Sequence, residues 1–373
     1  MTVKIITYVQ KSLEKAGVDK KSALKVTFPE SITFEENDEK KTIILRLSEE
    51  AVGTNMQGDK AAFEGWALLL YTHYIKEKDD YAQFKDEYRI ILDLEINAYD
   101  FIKNAYDQSC RPYTPNEYVN FRLHYNRFLY RALRFSQQYK WFSLSNRLAE
   151  LVQSFDNYLS EKKEFTNNVP NKEKDSKPFP KDTNKIREEN VEDVFADPNR
   201  QNIKGETFFN KYGNVLYRQL PVCLFEGNRA IADKAVFTGK KSAIDLWSCD
   251  KTELNMFELK YDNKMIGIIT EVFFYANYLR DMFSEAKKTN FNCQKLSESK
   301  KRHSYRGYEH LEETAFTKIN GFMLYDEDNL HQAITDDVIK TMNSADFDNN
   351  KCTITYDKIK YKIADYTVTV LEN

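Results

Sequence analysis

The sequence predicts an α+β protein of two domains: a mostly helical N-terminal domain with a small β element, then a C-terminal α/β domain on a mixed central sheet. Three observations carry that expectation. Apolar residues recur at helical spacing through most of residues 59–162, where Gly is nearly absent and Pro falls only at Pro112 and Pro115. From about residue 200 onward, strand-like and helix-like runs alternate. Between the two, residues 161–199 are polar, charged and Pro-containing, the composition of an interdomain linker. The domains are therefore expected at 1–160 and 200–373.

In chain order, a short N-terminal helix leads to strand-like runs at Ala23–Phe28, Ser31–Phe34 and Thr42–Leu47. Asp59 is a plausible N-cap for the helical region, which continues through Ala62–Lys76, Ala82–Gln108, Glu117–Gln138 and Lys140–Lys162. The aromatics of Phe63-Glu-Gly-Trp66 and Tyr139-Lys-Trp-Phe142 sit at core-like spacing. In the second half a helix is expected at Gly205–Tyr217 and a strand at Gln219–Phe225, followed by two motif strands. Then come a long helix at Ile266–Glu285, a strand at Ile319–Tyr325, a helix at Asn329–Met342, and closing strands at Cys352–Tyr356 and Ile359–Leu371.

Composition bounds the function. A chain of 373 residues with 41% hydrophobic and 14% aromatic content has the material for a sizeable ordered core. With 55 Lys+Arg against 58 Asp+Glu the net charge is −3, so any basic nucleic-acid surface must be local. No run approaches 18 uninterrupted apolar residues, and the N-terminus carries no signal-peptide hydrophobic stretch. The five cysteines are scattered and odd in number, without a Cys-x-x-Cys, which points to a reducing cytoplasm rather than a disulfide or zinc framework. Five scattered histidines leave oxygen ligands as the natural donors for any metal.

The chemistry concentrates in Ala243-Ile-Asp245-Leu-Trp and Leu254-Asn-Met-Phe-Glu258-Leu-Lys260, separated by the polar turn Ser248–Glu253. Side chains alternate along a strand, so Glu258 and Lys260 share one face while Phe257 and Leu259 take the other. If the two runs pair, Asp245 comes beside Glu258. Two carboxylates then hold a hard divalent cation, Mg²⁺ with Mn²⁺ able to substitute, with the Leu259 main-chain carbonyl as a further ligand. Lys260 would orient or help deprotonate a water and stabilise charge on a phosphodiester. Burial would lower its pKa and the neighbouring acids would raise it; the sequence leaves that balance open.

This Asp…Glu-x-Lys run resembles the active-site signature of the PD-(D/E)xK nuclease superfamily, with Ile244 where the name has Pro. The resemblance covers residues 200–370 only. It implies a restriction-endonuclease-like fold and a Mg²⁺-dependent phosphodiesterase, a DNA endonuclease of restriction or antiviral defence. The helix after Lys260 carries Glu271 and Tyr275, similar to the Gln-x-x-x-Tyr element of one branch of the superfamily with Glu in place of Gln. Members often add an acid from the helix before the sheet, for which Glu206 is the candidate; as a plain residue it is a helix-first-turn Glu favoured by the dipole. The implied partner is nucleic acid, DNA preferred, with no membrane; a homodimer or a defence-system partner protein stays open. The alternative is a catalytically silent nuclease-fold protein that binds nucleic acid or a partner, with the helical half as a sensor or oligomerisation module.

Two basic features are candidate phosphate contacts. Arg127, Arg131 and Arg134 share a helix face, although arginines so placed often pair with acids on neighbouring helices. Lys287, Lys288, Lys300, Lys301, Arg302 and Arg306 lie in a long basic connection that would clamp a backbone or simply be solvated.

Overall fold

The computed structural model describes residues 2–37, 39–76, 88–106, 115–161, 163–172, 179–238, 242–297, 306–312, 314–347 and 351–371. The chain is mixed α/β and divides into two compact units. Unit 1 comprises Met1–Glu161, Met265–Thr270 and His331–Asp346; unit 2 comprises Lys162–Lys264, Glu271–Leu330 and Phe347–Asn373. Among the described residues no helix is long and apolar enough to cross a membrane.

Unit 1 holds helices α1 (Thr2–Lys15) and α2 (Lys20–Ala23), strands β1 (Ile32–Asn37) and β2 (Thr42–Leu47), and helices α3 (Glu49–Gly53) and α4 (Phe63–Leu70), the last followed by a widened helical turn at Tyr71–Ile75. Strand β3 (Arg89–Leu94), helices α5 (Ile96–Tyr106) and α6 (Pro115–Gln138), strand β4 (Phe142–Leu144) and helix α7 (Asn146–Ser160) complete its N-terminal part. The four strands form one sheet in the order β1-β2-β3-β4, with β1 antiparallel to β2 and the other neighbours parallel.

This corrects two expected helices. Residues 89–94 and 142–144 are strands, because Ile90, Leu92 and Leu94 alternate inward and β2 and β4 offer backbone partners on either side. Residues 82–87 of the first lie outside the described set. Ala23–Phe28 is not a strand either: Asp19 accepts a hydrogen bond from the Ser22 N–H and caps α2, which ends in turns. The core is aromatic, as the sequence suggests. Phe63 stacks on Phe142 with centroids 6.1 Å apart, Phe135 meets both, and Trp141 stacks on Tyr71.

Unit 2 begins with β5 (Phe165–Thr166), α8 (Glu188–Ala196), β6 (Ile203–Lys204), α9 (Glu206–Tyr212), β7 (Tyr217–Pro221), β8 (Leu224–Glu226) and β9 (Ala235–Phe237). The motif strands are β10 (Ala243–Cys249) and β11 (Glu253–Lys260). After them come α10 (Gly267–Phe283), β12 (Phe291–Asn292), β13 (Lys318–Asp326), α11 (Asp336–Met342, in unit 1), β14 (Thr353–Ala364) and β15 (Thr367–Leu371). The main sheet runs β6-β15-β14-β13-β11-β10-β7; a smaller one runs β12-β5-β8-β9.

The expected linker at 161–199 is corrected: its described residues include β5, within the small sheet, and α8, whose Val191, Val194 and Phe195 enter the core. The apolar spacing of those three residues is helical and short, hidden among flanking charges. The closing strand β15 is followed in the sheet by β6, with which Val368 and Thr369 pair.

One face of the main sheet carries Leu246, Phe257, Leu259, Phe322 and Leu324 against Val191, Phe195, Phe208 and Phe209 of α8 and α9. Phe257 and Phe322 stack at 5.0 Å. The other face takes α10, which comes in close at Gly321: a Cβ there would fall 2.8 Å from Val272 Cγ1. Met256 is the register partner of Gly321, and alternation puts Met256, Glu258 and Lys260 on this same α10-facing side.

Candidate active site

β10 and β11 form an antiparallel hairpin. Its turn is closed by Asp250, whose carboxylate accepts from the N–H groups of Thr252 and Glu253, both at 2.8 Å. Leu246 pairs with Phe257, so one step along the ladder Asp245 comes opposite Glu258. The register therefore places both carboxylates on the same face as Lys260. Asp245 Oδ2 accepts a hydrogen bond from the Leu259 N–H at 2.8 Å. The Lys260 ammonium donates to Glu258 Oε1 at 2.8 Å and lies 3.1 Å from Glu271 Oε2 and 3.9 Å from Glu188 Oε1. Tyr361 fixes the strand end by donating its hydroxyl to the Lys260 carbonyl at 2.9 Å.

The cluster is shielded: Asp245 is 8% exposed, Glu258 2%, Lys260 6% and Glu271 0%. Burial, reinforced by Glu192 and Glu188, holds the Asp245 carboxyl well above the ordinary carboxylate range, against Lys260 and the Leu259 N–H. Burial, Asp245 and Glu271 do the same to Glu258, whose proximity to Lys260 only partly offsets them. For Lys260 burial opposes the charge. Glu258, Glu271, Asp245 and Glu188 together outweigh it, so the ammonium is held well above its ordinary value. The balance left open by the sequence falls to the acids, which favour the charged form of Lys260. Burial, then Glu258, Glu271 and Asp245, keep the Tyr275 phenol protonated.

Two acids absent from the sequence-level site come from α8. The Glu188 carboxylate accepts from the Tyr261 N–H at 3.3 Å, and burial raises its pKa first of all causes. Glu192 accepts from Arg218 at 3.2 Å and Gln219 at 2.7 Å, while Arg218 also pairs with Asp193. Glu188 and Glu192 are four apart and so share a helix face. That signal was present in Glu188-Glu-Asn-Val-Glu192 but belonged to a segment read as linker. Glu206, expected in this role, is exposed on the first turn of α9 and is no part of the cluster; the supplementary acids come from α8 and α10 instead.

The arginine stripe is also corrected. Arg127, Arg131 and Arg134 are all buried in unit 1. Arg131 forms a bidentate pair with Glu64, Arg127 meets His124 Nδ1 at 2.7 Å, and Arg134 reaches Gln137 and lies over the Tyr130 ring. A helix buried on several sides turns its cations to internal acids and rings, which periodicity alone does not reveal. Of the basic connection, Lys287 is exposed, Lys288 half-buried, and Arg306 half-buried in a left-handed turn. Lys300, Lys301 and Arg302 lie outside the described residues. On either side of those residues, Phe291 is held in β12, and Tyr308 donates to the Gln294 carbonyl at 2.9 Å.

The donor set fits a hard cation sparingly. Among the described residues no three His, Cys, Asp or Glu side chains converge as a ready metal group. Glu258 Oε2 is nonetheless buried with no hydrogen-bond partner among the described residues, beside a second carboxylate, Asp245, whose charge burial disfavours. Mg²⁺ commonly takes only one or two carboxylates and completes its shell with water, which this pair and the Leu259 carbonyl would satisfy. In comparisons with family models, curated proteins and solved structures, none matches this chain.

Proposed function

We propose that this protein is a metal-dependent nuclease of the PD-(D/E)xK type, hydrolysing phosphodiester bonds and acting on DNA, with its chemistry in unit 2. The observation that carries the reading is the antiparallel step that sets Asp245 beside Glu258 with the Lys260 ammonium 2.8 Å away, followed by a helix bearing Glu271. Restriction-endonuclease-like architecture and a role in restriction or antiviral defence belong to the same proposal.

In it, Asp245, Glu258 and the Leu259 carbonyl hold Mg²⁺ or Mn²⁺, which when bound supplies Lewis acidity and a water of lowered pKa. Lys260 presents a charged donor toward the attacked phosphate and offsets the negative charge that builds there. Glu271, at 3.1 Å, positions that ammonium. Glu188, at 3.9 Å from the same nitrogen, biases it from the α8 side.

A second reading, a catalytically silent nuclease fold that binds nucleic acid, draws on one specific observation: Lys260 is already tied to both Glu258 and Glu271 in a site under one-tenth exposed. The test incubates wild type, Asp245→Ala and Lys260→Ala with plasmid DNA, single-stranded DNA and RNA in Mg²⁺, Mn²⁺ or EDTA. The nuclease reading expects metal-dependent cleavage of DNA, reduced at least a hundredfold in both variants. Wild type inactive on every substrate but retaining DNA binding would establish the silent reading. Variants that cut as well as wild type would remove these residues from the chemistry.

A further inference from the structure

A cleft of about 490 Å³ opens in unit 1; its lining includes Arg46, Asp93, Glu95, Ile96, Tyr99 and Arg147 and no residue of the candidate active site. Its place in the fold is specific. β2, β3 and β4 are parallel, and the cleft lies where all three end: Arg46 and Asp93 are register partners near the carboxyl ends of β2 and β3. Ile96 and Arg147 stand in the first turns of α5 and α7, the helices that follow β3 and β4. Open parallel sheets bind ligands in the crevice outside the carboxyl ends of their strands, where helix N-termini also point. The volume falls within the range of small-molecule sites.

The lining chemistry selects among ligands. The Arg147 guanidinium lies over the Tyr99 ring at 4.0 Å, and among the described residues no carboxylate pairs with it, so its N–H edges are oriented and available. Tyr99 is itself fixed, its hydroxyl 3.3 Å from Asp93 and 3.1 Å from the N-cap Ser145, which donates to Asp93 at 2.6 Å. Arg46 adds a second cation from β2, positioned by Glu35 at 2.7 Å and Asp93 at 3.5 Å. Arg147, which no described carboxylate answers, calls for an anionic group, beside an Arg46 already held by its two acids. The Glu95 carboxylate beside them disfavours a pure polyanion and suits a hydroxyl donor. Ile96, 69% exposed, gives an apolar wall that water covers poorly. An anion, hydroxyls and a flat apolar part in one small molecule describe a nucleotide.

We propose that this cleft in unit 1 is a ribonucleotide-binding site, with the phosphate between Arg46 and Arg147, the ribose hydroxyls at Glu95 and the base against Ile96. The proposal stands independently of the nuclease reading.

The test is isothermal titration of the full-length protein in EDTA with AMP, GMP, adenosine, ribose 5-phosphate and inorganic phosphate. It is repeated on Arg147→Ala, Ile96→Glu and, as control for the other site, Asp245→Ala. Saturable binding of at least one nucleotide is expected, at least tenfold tighter than the nucleoside or the sugar phosphate. Arg147→Ala and Ile96→Glu should each weaken it tenfold or more with unchanged melting temperature, both side chains being exposed. Asp245→Ala should bind as wild type. No binding of either nucleotide, equal affinity for ribose 5-phosphate, or nucleotide binding that survives both cleft variants would each overturn the proposal. Loss of binding in Asp245→Ala would also overturn it, by moving the site to unit 2.

Discussion

Arg131→Met should destabilise unit 1 by about 3–5 kcal/mol, the usual cost of removing one partner from a buried ion pair and leaving the other charge uncompensated. The structure sets that scale through burial rather than distance. Arg131 Nε and Nη2 meet the two Glu64 oxygens at 2.7 and 2.5 Å, and Arg131 Nη2 also donates to the Ala61 carbonyl at 2.7 Å. Glu64 is 0% exposed and keeps only the Thr270 hydroxyl, at 2.9 Å, once the guanidinium is gone. Lys60 approaches Glu50 at a comparable 2.6 Å, but both side chains are more than half exposed. Water then replaces the partner, and Lys60→Met should leave the melting point where it was. For a cooperative unit of 150–250 residues, each kcal/mol moves Tm by about 2–4 °C, so Arg131→Met should lower it by roughly 6–20 °C. Thermal unfolding by circular dichroism, with urea titration alongside, reads both variants. The double change Glu64→Leu with Arg131→Met should recover much of the loss, because no buried charge remains. If Arg131→Met melts like Lys60→Met, burial is not what gives the pair its weight. If it instead weakens DNA binding at unchanged Tm, the arginine faces nucleic acid and its placement in the core is wrong.

Three further outcomes follow from the same structure. Glu258→Gln should abolish cleavage yet raise Tm in EDTA. A carboxyl whose folded pKa lies above its unfolded value makes the folded state bind more protons, so its contribution to stability is lost as pH rises above the ordinary carboxylate range; neutralising it removes that penalty at pH 7. A fall in Tm on Glu258→Gln would count against the charge argument. Burial lowers the His73 pKa from 6.5 to about 4, with Asp337 opposing, while Ser12 and Thr335 hold its two ring nitrogens at 3.0 Å. The unfolded chain therefore takes up a proton first, and up to about 3 kcal/mol of stability should disappear as pH falls from 6.5 to 4. His73→Gln should flatten that part of the urea-midpoint profile; an unchanged slope would refute the assignment, with His124 and His331, also shifted down by burial, as the next residues to test. Finally, Gly267→Ala would set a Cβ onto the Gln57 carbonyl, backbone that has no rotamer to move, and should cost at least about 1–3 kcal/mol. A variant that melts within 2 °C of wild type, about the shift of a single kcal/mol, would refute that close approach.

The hairpin of the candidate site was legible because its information is local. Alternation along Glu258-Leu-Lys260 determines which side chains share a face, and the polar turn Asp250–Thr252 is short enough to make the two runs neighbours. The long helix α10 was legible for the same reason, since its apolar period runs unbroken over several turns. Glu188 was not, because α8 is nine residues long inside a charged, Pro-containing stretch, and only its docking on the sheet brings its carboxylate to 3.9 Å from Lys260.

By itself the sequence determined the alternation, the turn, the helix and the residue types available for chemistry, all properties of neighbours in the chain. Only the tertiary structure decided that residues 89–94 are a strand, that Arg131 answers Glu64 rather than solvent, and that Lys260 keeps its proton amid four acids. Each of those outcomes is a competition between burial and a partner distant in sequence. The winner is set by which groups are brought within a few ångströms and how much water is left between them.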